Sequence, residues 1–257
     1  MMGVCVESLP LTGERTVPDI PAERYWYFRH EAVYRWLLDE VLRDLRETGA
    51  DPWLLDAGCG EGYGAQLLAP AVAGVVALDY DATTIAHVAR AYPAMSAVRG
   101  NLVGLPFATG VFAATVSLQV IEHIWDLAGF LQECHRVVRP GGIIAVSTPN
   151  RPVFSPGLAR GAKPTNPFHV EEFDAEQVAA LVSAAGFREV ALAGLHHGPR
   201  IADWEQTHGP IVAAHINEVH SGAPDPELQD FVAGLTVSDF EIGAAEGCHD
   251  LIGWGRR

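Results

Sequence analysis

From Trp53 onward, apolar residues come in short runs separated by glycines, acids and helical stripes. The runs Trp53–Asp56, Val75–Asp79, Ala97–Arg99, Ala113–Gln119, Ile143–Thr148, Arg188–Leu195 and Asp250–Trp254 predict seven strands. Between them, helical spacing predicts helices over Ala65–Leu68, Thr84–Tyr92, Asp126–Val138 and Ala175–Ala185. Gly186 stops the last of these, and Arg139-Pro140-Gly141-Gly142 forms a turn before the fifth strand. Strands alternating with helices predict a doubly wound, mostly parallel α/β sheet. Such sheets bind ligands at the carboxyl ends of their strands.

The flanks follow other rules. Residues 1–22 hold Pro10, Gly13, Pro18 and Pro21 and little periodicity, which predicts an arm. Tyr27, Tyr34, Leu37, Leu38, Val41, Leu42 and Leu45 recur at helical spacing, so a long amphipathic helix is expected over 24–46, ending near Gly49. The chain thus divides into an N-terminal arm and cap helix, 1–49, and a main domain, 50–257. Residues 149–173 carry five prolines and form a loop beside the expected site. Residues 196–249 far exceed the usual connection of roughly 2–6 residues and predict a helical lid inserted before the last strand. Within it, Trp204, Ile211, Val212, His215, Ile216 and Val219 predict one amphipathic helix.

Composition narrows the function. A chain of 257 residues, 49% apolar and 19% charged, suits one soluble globular domain with elaborations. A net charge of −15 argues against a nucleic-acid partner, because phosphate binding relies on clustered Lys and Arg. No 18-residue apolar run or signal pattern is present, so membrane insertion is not expected. Cys5, Cys59, Cys134 and Cys248 form no CxxC pair and read as reduced thiols in a cytoplasmic protein.

The stretch Leu54–Gly64, LLDAGCGEGYG, carries the chemistry. A strand that ends in an acid and breaks into alternating glycines lets the backbone approach a nucleotide closely. Asp79 closes the second strand, where a carboxylate can accept both hydroxyls of a ribose; NAD and S-adenosylmethionine both fit. Three features favour the second. Asp56 precedes the first glycine, where it would repel a pyrophosphate and attract a cationic amino group. The glycines alternate from Gly58, and a Tyr-x-x-x-Lys pair is impossible with Lys163 as the only lysine.

On these residues the chain resembles the class I S-adenosylmethionine-dependent methyltransferases. D-A-G-C-G-E-G (56–62), L-D-Y-D (78–81), N-L-V-G-L-P-F (101–107), V-I-E-H (120–123) and H-R-V-V-R-P-G-G (135–142) occur in that family's order. The resemblance implies a seven-stranded Rossmann-like methyltransferase sheet. It places Asp56, Gly58 and Gly60 around the methionine end, with Cys59 filling space beside them. Asp79 would hold the ribose, Tyr80 would lie beside adenine, Asn101 and Leu102 at the adenine edge, and Gln119 under the cofactor. Apart from the resemblance, the helix at 24–46 can fold over the cofactor, so that one of Tyr25 or Arg29 would meet the methionine carboxylate; the plainer reading is a packing helix with solvated charges. A narrower likeness lies in 11–18, 25–30, S-T-P-N-R (147–151), N-P-F-H-V-E-E-F (166–173) and H-G-P-R (197–200). These look like the methyltransferases of mycobacterial clusters for O-methylated mannose and glucose polysaccharides, which implies a sugar acceptor and points to the 1-OH of a methylated mannoside.

A sugar hydroxyl is a poor nucleophile at neutral pH and needs a base, worth about 10²–10⁴ in rate, or a Lewis-acidic metal. Glu122 and His123 follow the fourth strand and His169 the fifth, so these three are the candidate catalytic residues. Each has a plainer reading as a structural hydrogen-bonding side chain. The same trio could hold Mg²⁺, although two histidines are unusual for that ion. Histidines 196, 197, 208, 215 and 220 stand in the lid, and Trp125 and Trp204 could stack on a sugar face or pack in the core. The expected partner is a small-molecule or oligosaccharide acceptor, with a homodimer as the candidate assembly. Three alternatives stay open: another small-molecule O- or N-methyltransferase, an NAD(P)-dependent oxidoreductase, and a non-catalytic subunit that binds the same cofactor.

Overall fold

A computed structural model describes residue 9, residues 15–47 and residues 52–257. Cys5, Pro10, Gly13, Glu14 and Gly49, with the start of the expected arm, lie outside the described residues. The strands are β1 (Trp53–Ala57), β2 (Gly74–Asp79), β3 (Ser96–Arg99), β4 (Phe112–Leu118), β5 (Val138–Pro149), β6 (Arg188–His197), β7 (Phe240–Gly243) and β8 (Asp250–Arg256). They form one sheet in the order β3-β2-β1-β4-β5-β8-β6-β7. The pairs among β1 to β5 are parallel, whereas β8 runs antiparallel to both β5 and β6, and β7 antiparallel to β6.

Successive residues of the central strands feed opposite faces. Leu54, Val75 and Ile143 enter one apolar cluster, while Leu55, Val76 and Ile144 enter the other. This is why those strands read as continuous apolar runs: helices cover both sides. One layer holds α1 (Arg24–Trp36), α2 (Arg43–Glu47), α3 (Tyr63–Leu68) and α4 (Ala82–Ala91). The opposite layer holds α5 (Leu127–Val137), which follows β4, together with the α7 helix (Ala175–Ala184). A short α6 (Arg151–Phe154) lies in the loop between β5 and α7. Asp126 caps α5 by accepting from the Gly129 amide, and Asp174 with Gln177 makes a capping box on α7.

Four expectations need correction. The sheet has eight strands rather than seven, because Phe240–Gly243 adds an edge strand of four residues, too short to stand out. Strand β5 begins at Val138 and continues through the expected turn, with Gly141 at φ 76°. The helix expected over 24–46 breaks into α1, a π-helical turn at Leu37–Val41 and α2. The single lid helix is instead α8 (Pro199–His208) and α9 (Ile211–Ser221), followed by α10 (Pro226–Ala233). Gly209 at φ 83° and Pro210 end α8, so Trp204 and Ile211 belong to different helices.

No helix among the described residues is long and apolar enough to cross a membrane. Helix α1 reaches β8, where the buried Arg29 guanidinium grips both carboxylate oxygens of buried Asp250. Removing one partner of a buried ion pair strands the other charge in low dielectric. Arg29→Met should therefore lower unfolding free energy by about 3–5 kcal/mol. The double variant Arg29→Met/Asp250→Leu should recover most of that loss in chemical denaturation.

Candidate functional site

Strand order reverses at β1, which lies between β2 and β4, and the loops leaving these strands open a crevice there. The loop after β1 is shaped by glycine. Gly58 has φ 83°, and a Cβ there would come within 2.7 Å of Val120. Gly60 has φ 51° and faces open space, so its backbone stands clear for a ligand. The loop returns to β2 through the Gly60 amide, which donates to Asp79 Oδ2 at 3.1 Å.

Asp79 is buried, and its Oδ1 accepts from the Asp81 amide at 3.0 Å. Burial raises its pKa, against the pull of those two amides. Asp56 lies fully buried at the end of β1 and accepts from the Tyr34 hydroxyl of α1 at 3.2 and 3.3 Å. Burial pushes its carboxyl up to about 7, opposed by the Tyr34 bond and reinforced by the charge of Asp79. Cys59 is buried, and burial raises its thiol well above the ordinary value, which disfavours the thiolate.

The remaining cofactor candidates differ in placement. Tyr80 is 61% exposed at the end of β2. Asn101 turns its Oδ1 onto the Val103 amide at 3.1 Å within its own loop, and Leu102 packs half-buried beside it. Gln119 adopts φ 55° just past β4 and donates from Nε2 to Ser147 Oγ at 3.2 Å. A left-handed residue that is not glycine is strained, and such strain gathers at functional sites. Tyr25 and Arg29 are held elsewhere. The Tyr25 hydroxyl meets His197 Nε2 at 2.8 Å, and Arg29 is committed to Asp250.

On the acceptor side, the structure brings Glu122, His123 and His169 together, with candidate ligand atoms within 4.8 Å of one another. His123 Nδ1 donates to the Phe168 carbonyl at 2.9 Å, which leaves Nε2 as the lone-pair nitrogen, 4.0 Å from Glu122 Oε1. The Val170 amide donates to the Glu122 carbonyl at 2.7 Å and locks the two loops together. His169 Nδ1 bonds Glu172 at 2.8 Å, and Nε2 lies 3.0 Å from the Asn166 amide nitrogen. Both Glu122 Oε2 and Glu172 Oε2 are buried without a hydrogen-bond partner. Burial pushes the Glu122 carboxyl up to about 7 despite nearby His169.

Three residues here escaped the sequence reading. Glu172 had a signal, the His-x-x-Glu spacing with His169. Tyr34 was visible only as one of a helical stripe, and Asp250 only as the first residue of a strand. The lid histidines scatter. His196 bonds the Ala244 carbonyl, His197 lies between Tyr25 and Glu205 and stacks on His249, and His208 stacks on Trp204. His215 sits among Tyr25 and Trp26, with its pKa lowered by burial to about 4. The His220 side chain lies outside the described residues. Trp204 packs between His208 and Phe231, whereas Trp125 is 88% exposed.

Known proteins share sequence and fold with this chain. A methyltransferase-domain model matches residues 55–146. A probable S-adenosylmethionine-dependent methyltransferase of Mycobacterium tuberculosis is 46% identical over 245 residues, 95% of this chain and 85% of that protein. A counterpart from Mycolicibacterium smegmatis is 44% identical over 240 residues, 93% of this chain and 89% of its own. A solved S-adenosylmethionine-dependent methyltransferase from Thermotoga maritima superposes with a TM-score of 0.57. The match covers 91% of this chain and 93% of that one, at 14% identity, and shows a shared fold.

The raised carboxyl of Glu122 sets a sign for stability. The native state holds this proton more tightly than the unfolded chain does. Its favourable contribution is therefore present below the ordinary value of 4.5 and is lost as pH rises through about 7. In EDTA, Glu122→Gln should raise the melting temperature by several degrees at pH 8 and change it little at pH 4.5.

Proposed function

Since the chain belongs to the S-adenosylmethionine-dependent methyltransferases, we propose that it methylates a sugar hydroxyl, the 1-OH of a methylated mannoside in polysaccharide biosynthesis. The observation that carries this reading is the cluster of buried Glu122, His169 and Glu172 with half-buried His123, near two exposed aromatic residues in the chain. Phe168 and Trp125 flank the cluster in sequence, and exposed aromatic faces suit the apolar face of a pyranose. The sugar-methyltransferase likeness of residues 147–151 and 166–173 falls on the loop that supplies His169 and Glu172.

In this reading Asp79 accepts the ribose hydroxyls, and the Gly58 and Gly60 backbone lies along the methionine portion, with Cys59 packed beside it. Asp56 faces the ammonium group. Tyr80, Asn101 and Leu102 border adenine, and Gln119 supports the cofactor from below. Arg29 and Tyr25 act at one remove, by fixing α1 over the site. Residues 1–49 serve as the cap, 50–257 as the catalytic domain, and 196–249 as the lid over the acceptor.

The acceptor oxygen attacks the sulfonium methyl carbon in line as the carbon–sulfur bond breaks, and its electron pair returns to sulfur to give the neutral thioether. Much of the acceleration comes from holding these atoms in line. The hydroxyl proton passes to His123 Nε2, the nitrogen left with its lone pair by the Phe168 bond. Glu122, 4.0 Å away, stabilises the imidazolium that results. Mg²⁺ is the alternative to a base at His123. The unpartnered Glu122 Oε2 suits a hard cation, although two imidazoles suit it less. Glu122, His123 and His169 would hold it, with His123 Nε2 then a ligand and not the base, and it would lower the pKa of the acceptor hydroxyl.

Release of S-adenosylhomocysteine on addition of methylated mannosides tests the substrate, and silence across that series contradicts it. His123→Ala should reduce kcat by about 10²–10⁴ with cofactor affinity unchanged. Exhaustive EDTA treatment should lower turnover and added Mg²⁺ restore it. Activity indifferent to EDTA removes the metal and leaves His123 as the base.

A further inference from the structure

Tyr34 belongs to none of the loops that border the nucleotide crevice. It sits on α1, yet its buried hydroxyl reaches down to both oxygens of Asp56 at 3.2 and 3.3 Å. The fold makes room for it at Gly64, the first-turn glycine of α3. A Cβ on Gly64 would lie 2.1 Å from Tyr34 Cζ and 2.3 Å from its hydroxyl oxygen. Glycine at 64 therefore has a steric cause separate from the cofactor, and that cause is the Tyr34 ring. Neighbouring contacts fasten the same helix to the same loop. His30 Nδ1 meets the Tyr63 hydroxyl at 2.6 Å, and Tyr27 packs edge-on against Tyr63.

We propose that Tyr34 is a positioning residue for cofactor binding: it holds Asp56 in the orientation that receives the cofactor's ammonium group, so that the seating of α1 and cofactor affinity are coupled. This rests on the assignment of Asp56 to the methionine end. Tyr34 touches the carboxylate and not the cofactor, so its effect is transmitted through Asp56.

The groups around Asp56 make the coupling measurable. From α1 comes the Tyr34 hydroxyl, from α3 the Ala65 amide and the Tyr63 phenol, from the glycine loop the Cys59 thiol, and from β2 the Asp79 carboxylate. Tyr34 and the Ala65 amide favour the ionised form, while burial and the charge of Asp79 oppose it. With its carboxyl at about 7, Asp56 in the free enzyme is close to half protonated at neutral pH. An ammonium group seated against it favours the carboxylate, so binding expels about half a proton at pH 7. Tyr34→Phe removes the one side-chain donor to that carboxylate among the described residues, which raises the proton occupancy of the free state.

The test is calorimetric titration of the full chain with S-adenosylhomocysteine at pH 7, in buffers of different ionisation enthalpy. The native chain should release about half a proton, a fraction that falls as pH rises above 7. Tyr34→Phe should weaken binding by about tenfold to a hundredfold and move the release toward one proton. Gly64→Ala, which displaces the same ring without touching the carboxylate, should weaken binding in the same direction. Tight binding with no buffer dependence in the native chain overturns the inference and needs no variant to fold. Native affinity and slope in Tyr34→Phe overturn it equally. Asp56→Asn with native affinity instead overturns the assignment of Asp56 itself, which separates failure of the premise from failure of the coupling.

Discussion

Five carboxylates, Asp56, Asp79, Glu122, Glu172 and Asp250, lie buried at the carboxyl edge of the sheet. Taking each out of water is costly unless hydrogen bonds or opposite charge replace the lost hydration. Much of the surrounding structure supplies that replacement. Arg29 serves Asp250, Tyr34 serves Asp56, two backbone amides serve Asp79 and His169 serves Glu172. Glu122 and Glu172 each keep one oxygen unpartnered, and burial holds the Glu122 carboxyl up to about 7. An edge this rich in acid suits a cationic donor. The proposed sulfonium and ammonium groups of the cofactor bring the positive charge that the protein itself largely withholds.

Helix α1 follows from this constraint. Its apolar side joins the core through Ala32, Val33 and Tyr34, while Tyr25, Arg29 and Tyr34 reach polar partners on three different elements. Arg29 is further enclosed by Trp26 and by Phe154, which stands 4.7 Å from its guanidinium. The helix thus links the two ends of the site: the glycine loop through Tyr34, and the acceptor side through Arg29, whose charge acts on Glu122. The helices α8 to α10 extend the same wall, since Glu205 on α8 bonds His197, which in turn bonds Tyr25.

Much of this was legible in the sequence where the signal is local. Leu54-Leu55, Val75-Val76 and Ile143-Ile144 announce strands buried on both faces, and the glycines after Asp56 announce a close backbone approach. The parts that stayed hidden depend on tertiary contact. Nothing near Arg29 or Asp250 tells that residues more than two hundred positions apart will pair. Phe240–Gly243 becomes a strand because β6 offers it an edge, not because its own alternation is strong. The break at Gly209-Pro210 was written in the chain, but the helical spacing of Trp204 with Ile211 runs across it and conceals it.

The account comes to its most direct test in a crystal structure of the full chain with S-adenosylhomocysteine. It predicts the ribose hydroxyls on Asp79, the amino group on the Asp56 side, the sulfur facing Glu122 and His123, and the Arg29–Asp250 pair intact. A ligand whose carboxylate opens that pair, or whose ribose lies away from Asp79, would contradict it.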